Sequence, residues 1–86
     1  MYQVLLSRRA HRALRDPPAE DARRVADALL RLQDDPRTMG VIRLTGLAIA
    51  EYRLRVGNYR ILFDIDDEGS VVEVLDIRRR SEQTSR

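Results

Sequence analysis

Apolar and polar positions change period part-way along this chain, from helical spacing in its first half to strand alternation in its second. Residues 2 to 6, Tyr-Gln-Val-Leu-Leu, form a short β-prone run, and Ser7 follows where a helix N-cap is expected. A first helix is predicted to run to about Arg15 and to stop before Asp16-Pro17-Pro18, with Asp16 a candidate cap for the next. Ala22, Val25, Ala26, Leu29 and Leu32 then recur at helical spacing and give a second helix an apolar stripe that ends before Pro36. Arg23, Arg24 and Asp27 read as its solvated face. Val41-Ile42-Arg43-Leu44 is a short strand or an extended loop, interrupted by Thr45-Gly46. Strands are predicted over about 51–56, 59–65 and 71–78, joined by Gly57-Asn58 and by the acidic loop Asp66-Asp67-Glu68-Gly69. The pattern describes an α+β domain: an N-terminal strand, a helical hairpin, then an antiparallel meander with the helices on one sheet face.

The hairpin around Gly57-Asn58 carries the candidate chemistry. Gly at the first central position supplies the positive φ of a type II′ turn, and a tight turn there sets the register. Val56 then faces Tyr59, Arg55 faces Arg60, Leu54 faces Ile61 and Arg53 faces Leu62, so alternation gathers Arg53, Arg55 and Arg60 on one side. Like charges placed opposite each other repel, so the arrangement adds nothing to stability and suits an anion such as phosphate. Asp64 or Asp76 could equally neutralise the cluster across the sheet. A second basic run, Arg78-Arg79-Arg80, ends the last predicted strand. If five residues separate Ile65 from Val71, Arg60 lies opposite Asp76, and Arg78 and Arg80 join the arginine face. One residue of slip would present Arg79 instead.

Composition narrows the class. The 86 residues are enough for one domain, with residues 81–86 expected as a mobile tail. All 16 cationic side chains are arginine and the net charge is only +2, so a basic surface must come from clustering. No cysteine and a single histidine, His11, leave no disulfide framework, no thiolate nucleophile and no ligand set for a structural zinc. His11 falls in the first helix, away from the arginine hairpin along the chain. No apolar run reaches the ~20 residues that cross a bilayer, and a soluble, cytoplasmic protein with no membrane partner is expected.

The order of elements, the string Tyr52-Arg53-Leu54-Arg55, the turn, Tyr59-Arg60-Ile61-Leu62-Phe63 and the basic end of the last strand resemble the RelE/ParE toxins of bacterial toxin–antitoxin systems. The likeness covers nearly the whole chain and includes Leu44-Thr45-Gly46 before the hairpin. It implies a single RelE-like domain, a RelB-like antitoxin as partner, no cofactor, and, for RelE-type members, cleavage of messenger RNA in the ribosomal A site. That reaction proceeds without metal, by attack of a ribose 2′-hydroxyl on the adjacent phosphodiester. The resemblance places Arg53, Arg55, Arg60 and Arg80 at catalytic positions, and Arg43, Arg78 and Arg79 at RNA-binding ones.

Arginine can stabilise charge developing on phosphoryl oxygens but is a poor proton carrier, because its pKa lies above ~12. Many RelE-type members carry a tyrosine about four residues beyond the motif arginine, where this chain has Thr84. Glu51, Tyr59 and Glu82 remain as candidate proton carriers. The leading expectation is an mRNA interferase. The alternatives are a ParE-like inhibitor of DNA gyrase, or a weakened or non-catalytic RelE homologue, since the fold alone does not separate them. A plain RNA-binding domain is disfavoured, because few aromatics are available for base stacking.

Overall fold

The computed structural model describes residues 1–46 and 49–79. Along the chain run β1 (Gln3–Leu6), α1 (Arg8–Ala13), α2 (Ala19–Asp34), β2 (Val41–Arg43), β3 (Tyr52–Val56), β4 (Tyr59–Asp66) and β5 (Val71–Arg79). Five strands form one sheet in the order β1-β5-β4-β3-β2. β1 lies parallel to β5 and every other pairing is antiparallel. The expected α+β architecture is what forms, and 41–43 is a strand.

The core fills the space between one sheet face and the helices. Val25, Ala28 and Leu32 of α2 and Ala10 of α1 pack with Leu54, Tyr59, Ile61, Phe63, Val72, Val74 and Ile77 of the sheet. Full burial of one side chain such as Phe63 contributes about 1.5–3 kcal/mol, and its ring also stacks on Tyr52 with centroids 5.7 Å apart. The stripe of α2 differs from the spacing expected: Ala28 takes the buried position, Ala22 and Leu29 are half-buried, and Ala26 is exposed. α1 is shorter than expected and ends at Ala13, two residues before Arg15. Asp16 does not cap α2. Pro18 occupies the N-cap, with no side-chain cap bond, and Glu20 and Asp21 in the first turn complement the helix dipole instead.

Ser7 caps α1 as its position suggests. Its Oγ accepts the backbone N–H of Ala10 at 3.0 Å and donates to the carbonyl of Leu75 at 2.7 Å, while its own N–H donates to the carbonyl of Val74 at 2.9 Å. Those bonds tie the start of α1 to an irregularity in β5. The pairing Asp66↔Val71 leaves a loop of residues 67–70, in which Ser70 takes the left-handed conformation at φ +56°. That register is one residue off the five-residue loop considered above. A bulge between Leu62 and Phe63 then shifts it once more: Phe63 faces Val74, but Leu62 faces Asp76, so Leu75 is the extra residue. Two slips restore the parity. Arg60 therefore lies opposite Arg78, not opposite Asp76.

A surface clamp joins three separate segments at the other end of the sheet. Arg37, in the α2–β2 connection, donates from both terminal nitrogens to Asp67, each at 3.0 Å, and the Tyr2 hydroxyl donates to the same carboxylate at 2.7 Å. The Arg37 guanidinium also lies 5.7 Å from the centre of the Tyr52 ring. Hydrogen bonds from Arg37 and then Tyr2 hold the Asp67 carboxyl below its ordinary range, and the same bond raises the Tyr2 phenol.

Candidate functional site

Glycine at position 57 fixes the site geometry. Its φ is +57°, Asn58 stays outside the left-handed region, and the hairpin closes with Val56 opposite Tyr59. Arg55 then faces Arg60, Arg53 faces Leu62, and Arg78 of β5 faces Arg60 from the other side. Directly paired residues share a face, so three adjacent strands bring Arg53, Arg55, Arg60 and Arg78 together on the side away from the helices. Arg53 and Arg60 are half-buried; Arg55 and Arg78 are exposed. Leu62 is buried in the middle of this polar face, between Arg53 and Asp76, where long arginine stems can shield it.

Among the described residues, Asp76 is the carboxylate that meets the arginines of this face. Asp76 takes the Nε of Arg78 at 2.8 Å, and Nη1 of Arg9 from α1 lies 3.9 Å from the same oxygen. Asp64 is engaged elsewhere, accepting the backbone N–H of Glu51 at 2.8 Å, and it lies opposite Glu73. The face is therefore basic toward the β3–β4 turn and acidic toward Glu51, Asp64 and Glu73. Arg60 sits between Arg55 and Arg78, and its Nε is buried with no hydrogen-bond partner among the described residues. A guanidinium flanked by like charges and left with an unused donor is arranged for an incoming anion.

The structure separates two expected site residues from this cluster. Arg43 pairs with Tyr52, which puts it on the helix side of β2. Arg79 pairs with Tyr59 and lines a cavity of about 290 Å³ with Ala13, Asp16, Pro17 and Ile77, also on the helix side. Arg80, Glu82 and Thr84 lie outside the described residues. Of the candidate proton carriers, Tyr59 is a core residue and Glu51 is exposed near Asp64. His11 is exposed in α1. Arg9 and Arg37 were not among the expected residues. Both gain their roles only through contacts with β5 or the β4–β5 loop, and nothing in the local pattern around either announces them.

The family profile described as the ParE toxin of the parDE type II toxin–antitoxin system matches residues 4–84. The chain belongs to the RelE/ParE toxin superfamily. No curated protein matches this toxin by sequence. Among solved structures, the RelBE2 toxin–antitoxin complex of Mycobacterium tuberculosis is 28% identical with a TM-score of 0.81, covering 92% of this toxin and 98% of that chain. The archaeal RelE–RelB complex of Pyrococcus horikoshii is 26% identical with a TM-score of 0.78, covering 93% and 96%. The isolated RelE toxin of E. coli, at 24% identity and a TM-score of 0.77 over 99% of this toxin and 93% of that chain, shares the fold. The RelE-like architecture expected from the sequence is thus the one observed, and no helix of the toxin is long and apolar enough to cross a membrane among the described residues.

Proposed function

We propose that the toxin is a ribosome-dependent mRNA endonuclease and that its arginine face holds the scissile phosphate. The observation that carries this reading is the convergence of Arg53, Arg55, Arg60 and Arg78 from three adjacent strands, with the buried Nε of Arg60 at its centre meeting no hydrogen-bond partner among the described residues. Attack by a ribose 2′-hydroxyl concentrates negative charge on the non-bridging and leaving oxygens. Fixed guanidinium donors stabilise that charge without a metal and without reorganising during the step. Arg80, next in the chain after β5 and outside the described residues, acts with them in this reading, and Arg43 and Arg79, on the other side of the sheet, contact more distant parts of the ribosome-bound message. Glu51, exposed just before β3, is the candidate base in this reading. Action on the ribosome puts the protein in the cytoplasm. The RelB antitoxins of the M. tuberculosis and P. horikoshii complexes support a RelB-like antitoxin as the partner that silences it.

A second reading, inhibition of DNA gyrase, is favoured by one observation: the matching family profile is described by ParE of parDE. Thr84, where nuclease relatives carry tyrosine, fits it too. One experiment separates the two. On induction in bacteria, the nuclease produces new 5′ ends in ribosome-associated messages, and Arg60→Ala abolishes them. Accumulation of gyrase–DNA cleavage complexes with intact messages would refute the nuclease.

A further inference from the structure

Asp76 is the buried charged side chain of this fold among the described residues, at 5% exposure, and it is buried on the face opposite the helices. A carboxylate can be held there only if donors meet its oxygens. Each oxygen is met. Oδ1 accepts the backbone N–H of Ile77 at 2.8 Å, and Oδ2 accepts the Arg78 Nε–H at 2.8 Å with Arg9 Nη1 3.9 Å away. Using Nε as the donor fixes the plane of the Arg78 guanidinium and leaves both terminal nitrogens unengaged by Asp76. Arg9 reaches the same carboxylate because Ser7 bonds the carbonyls of Val74 and Leu75, which pins the first turn of α1 one residue before Asp76. Asparagine could not do the same, since its amide would turn a donor toward one of two donors.

We propose that Asp76 is a positioning residue that assembles Arg9 and Arg78 into one seat for a phosphate oxyanion, extending the arginine face from the sheet onto α1. The proposal rests on the phosphate-binding reading of that face, but not on whether a message is cut there. A carboxylate that merely balanced charge would predict the opposite behaviour. Removing it would then tighten anion binding, because one negative charge beside the arginines is lost. Removing a positioning group weakens binding despite that gain.

The test titrates isotope-labelled full-length toxin with inorganic tripolyphosphate, following the arginine Nε–H resonances by NMR and affinity by calorimetry. The Arg9 and Arg78 resonances should shift saturably, and Asp76→Asn should bind about tenfold more weakly, the scale of one charge-assisted hydrogen bond. Arg78→Lys keeps the charge, lies at an exposed position and loses the Nε fork, so it carries the test if Asp76→Asn does not fold. It should weaken binding by a similar factor. Tighter binding to Asp76→Asn, unchanged binding to Arg78→Lys, or wild-type resonances that do not move would each overturn the proposal. Intact messages in induced cells alongside a saturable shift would remove the nuclease and leave the seat standing.

Discussion

Replacing Arg60 with methionine should make this toxin more stable and harmless at once. Methionine keeps an unbranched stem over the sheet and removes only the charged head. Arg60 is directly opposed by Arg55 on β3 and by Arg78 on β5, and each like-charged cross-strand pair costs roughly 0.2–1 kcal/mol. Its buried Nε, without a partner among the described residues, adds the cost of an unsatisfied donor, about 1–3 kcal/mol. The exposed end of the guanidinium regains some of that through solvent, so a net gain of about 1 kcal/mol is expected. For a domain of this size that corresponds to a rise of about 4–8 °C in melting temperature. Urea and thermal unfolding at low salt and in 1 M salt measure it. Repulsion between the arginines fades as the Debye length falls to about 3 Å, so part of the gain should vanish at high salt while the share due to the buried Nε remains. Growth inhibition on induction should be lost. A variant destabilised by about 1 kcal/mol or more at low salt would refute the reasoning, because Arg60 would then be held by favourable contacts.

Two further outcomes test the frame around the site. Asp67→Asn should destabilise the fold at pH 6, with a gap that closes in acid. The folded Asp67 carboxyl lies below its ordinary value of 3.8, first through the Arg37 hydrogen bonds and then through Tyr2, so its contribution is full above that value and is lost as pH falls through the folded one. Denaturant midpoints across pH 2–7 measure the gap, and one independent of pH would show that the clamp contributes nothing through charge. Gly57→Ala should cost about 1–2 kcal/mol from the φ of +57° alone, since an added Cβ meets only Arg24 Nη1, at 3.8 Å. Unchanged thermal stability would mean that the turn does not fix the register.

What the sequence disclosed, and what it hid, follows from how each feature is encoded. Gly57-Asn58 writes its turn in two residues, so the whole β3–β4 register was legible, including Arg55 opposite Arg60. The alternation of Tyr59, Ile61 and Phe63 marked the sheet's core face, while the helical period of α2 marked Val25 and Leu32 but put Ala26 where Ala28 is the buried residue. A bulge leaves no such mark. Val71 to Ile77 is apolar on both parities, so the extra Leu75 changes the strand's face without disturbing its pattern, and Arg78 reached the arginine side through two offsetting slips. The resemblance gave Arg43 an RNA-contacting position without saying which sheet face it takes, and a three-residue strand paired with Tyr52 puts it on the side away from the arginine cluster. Arg9 and Arg37 depend on partners 67 and 30 positions away, separations at which no periodicity operates.

The sheet order carries a consequence for how a cell makes such a protein safely. β5 is the last strand of the meander, yet it lies inside the sheet, between β1 and β4. Until it emerges, β1 has no neighbour to pair with, Val72, Val74 and Ile77 are missing from the core, and Arg78 has not reached the arginines of the hairpin. Closing a contact across nearly the full chain is also the slow step of folding for such a topology. A ribosome adds roughly 5–20 residues per second, so there is an interval in which most of the toxin exists and the proposed arginine site is incomplete. Synthesis order thus places completion of the proposed site at the end of translation, which leaves an antitoxin time to be present when β5 docks.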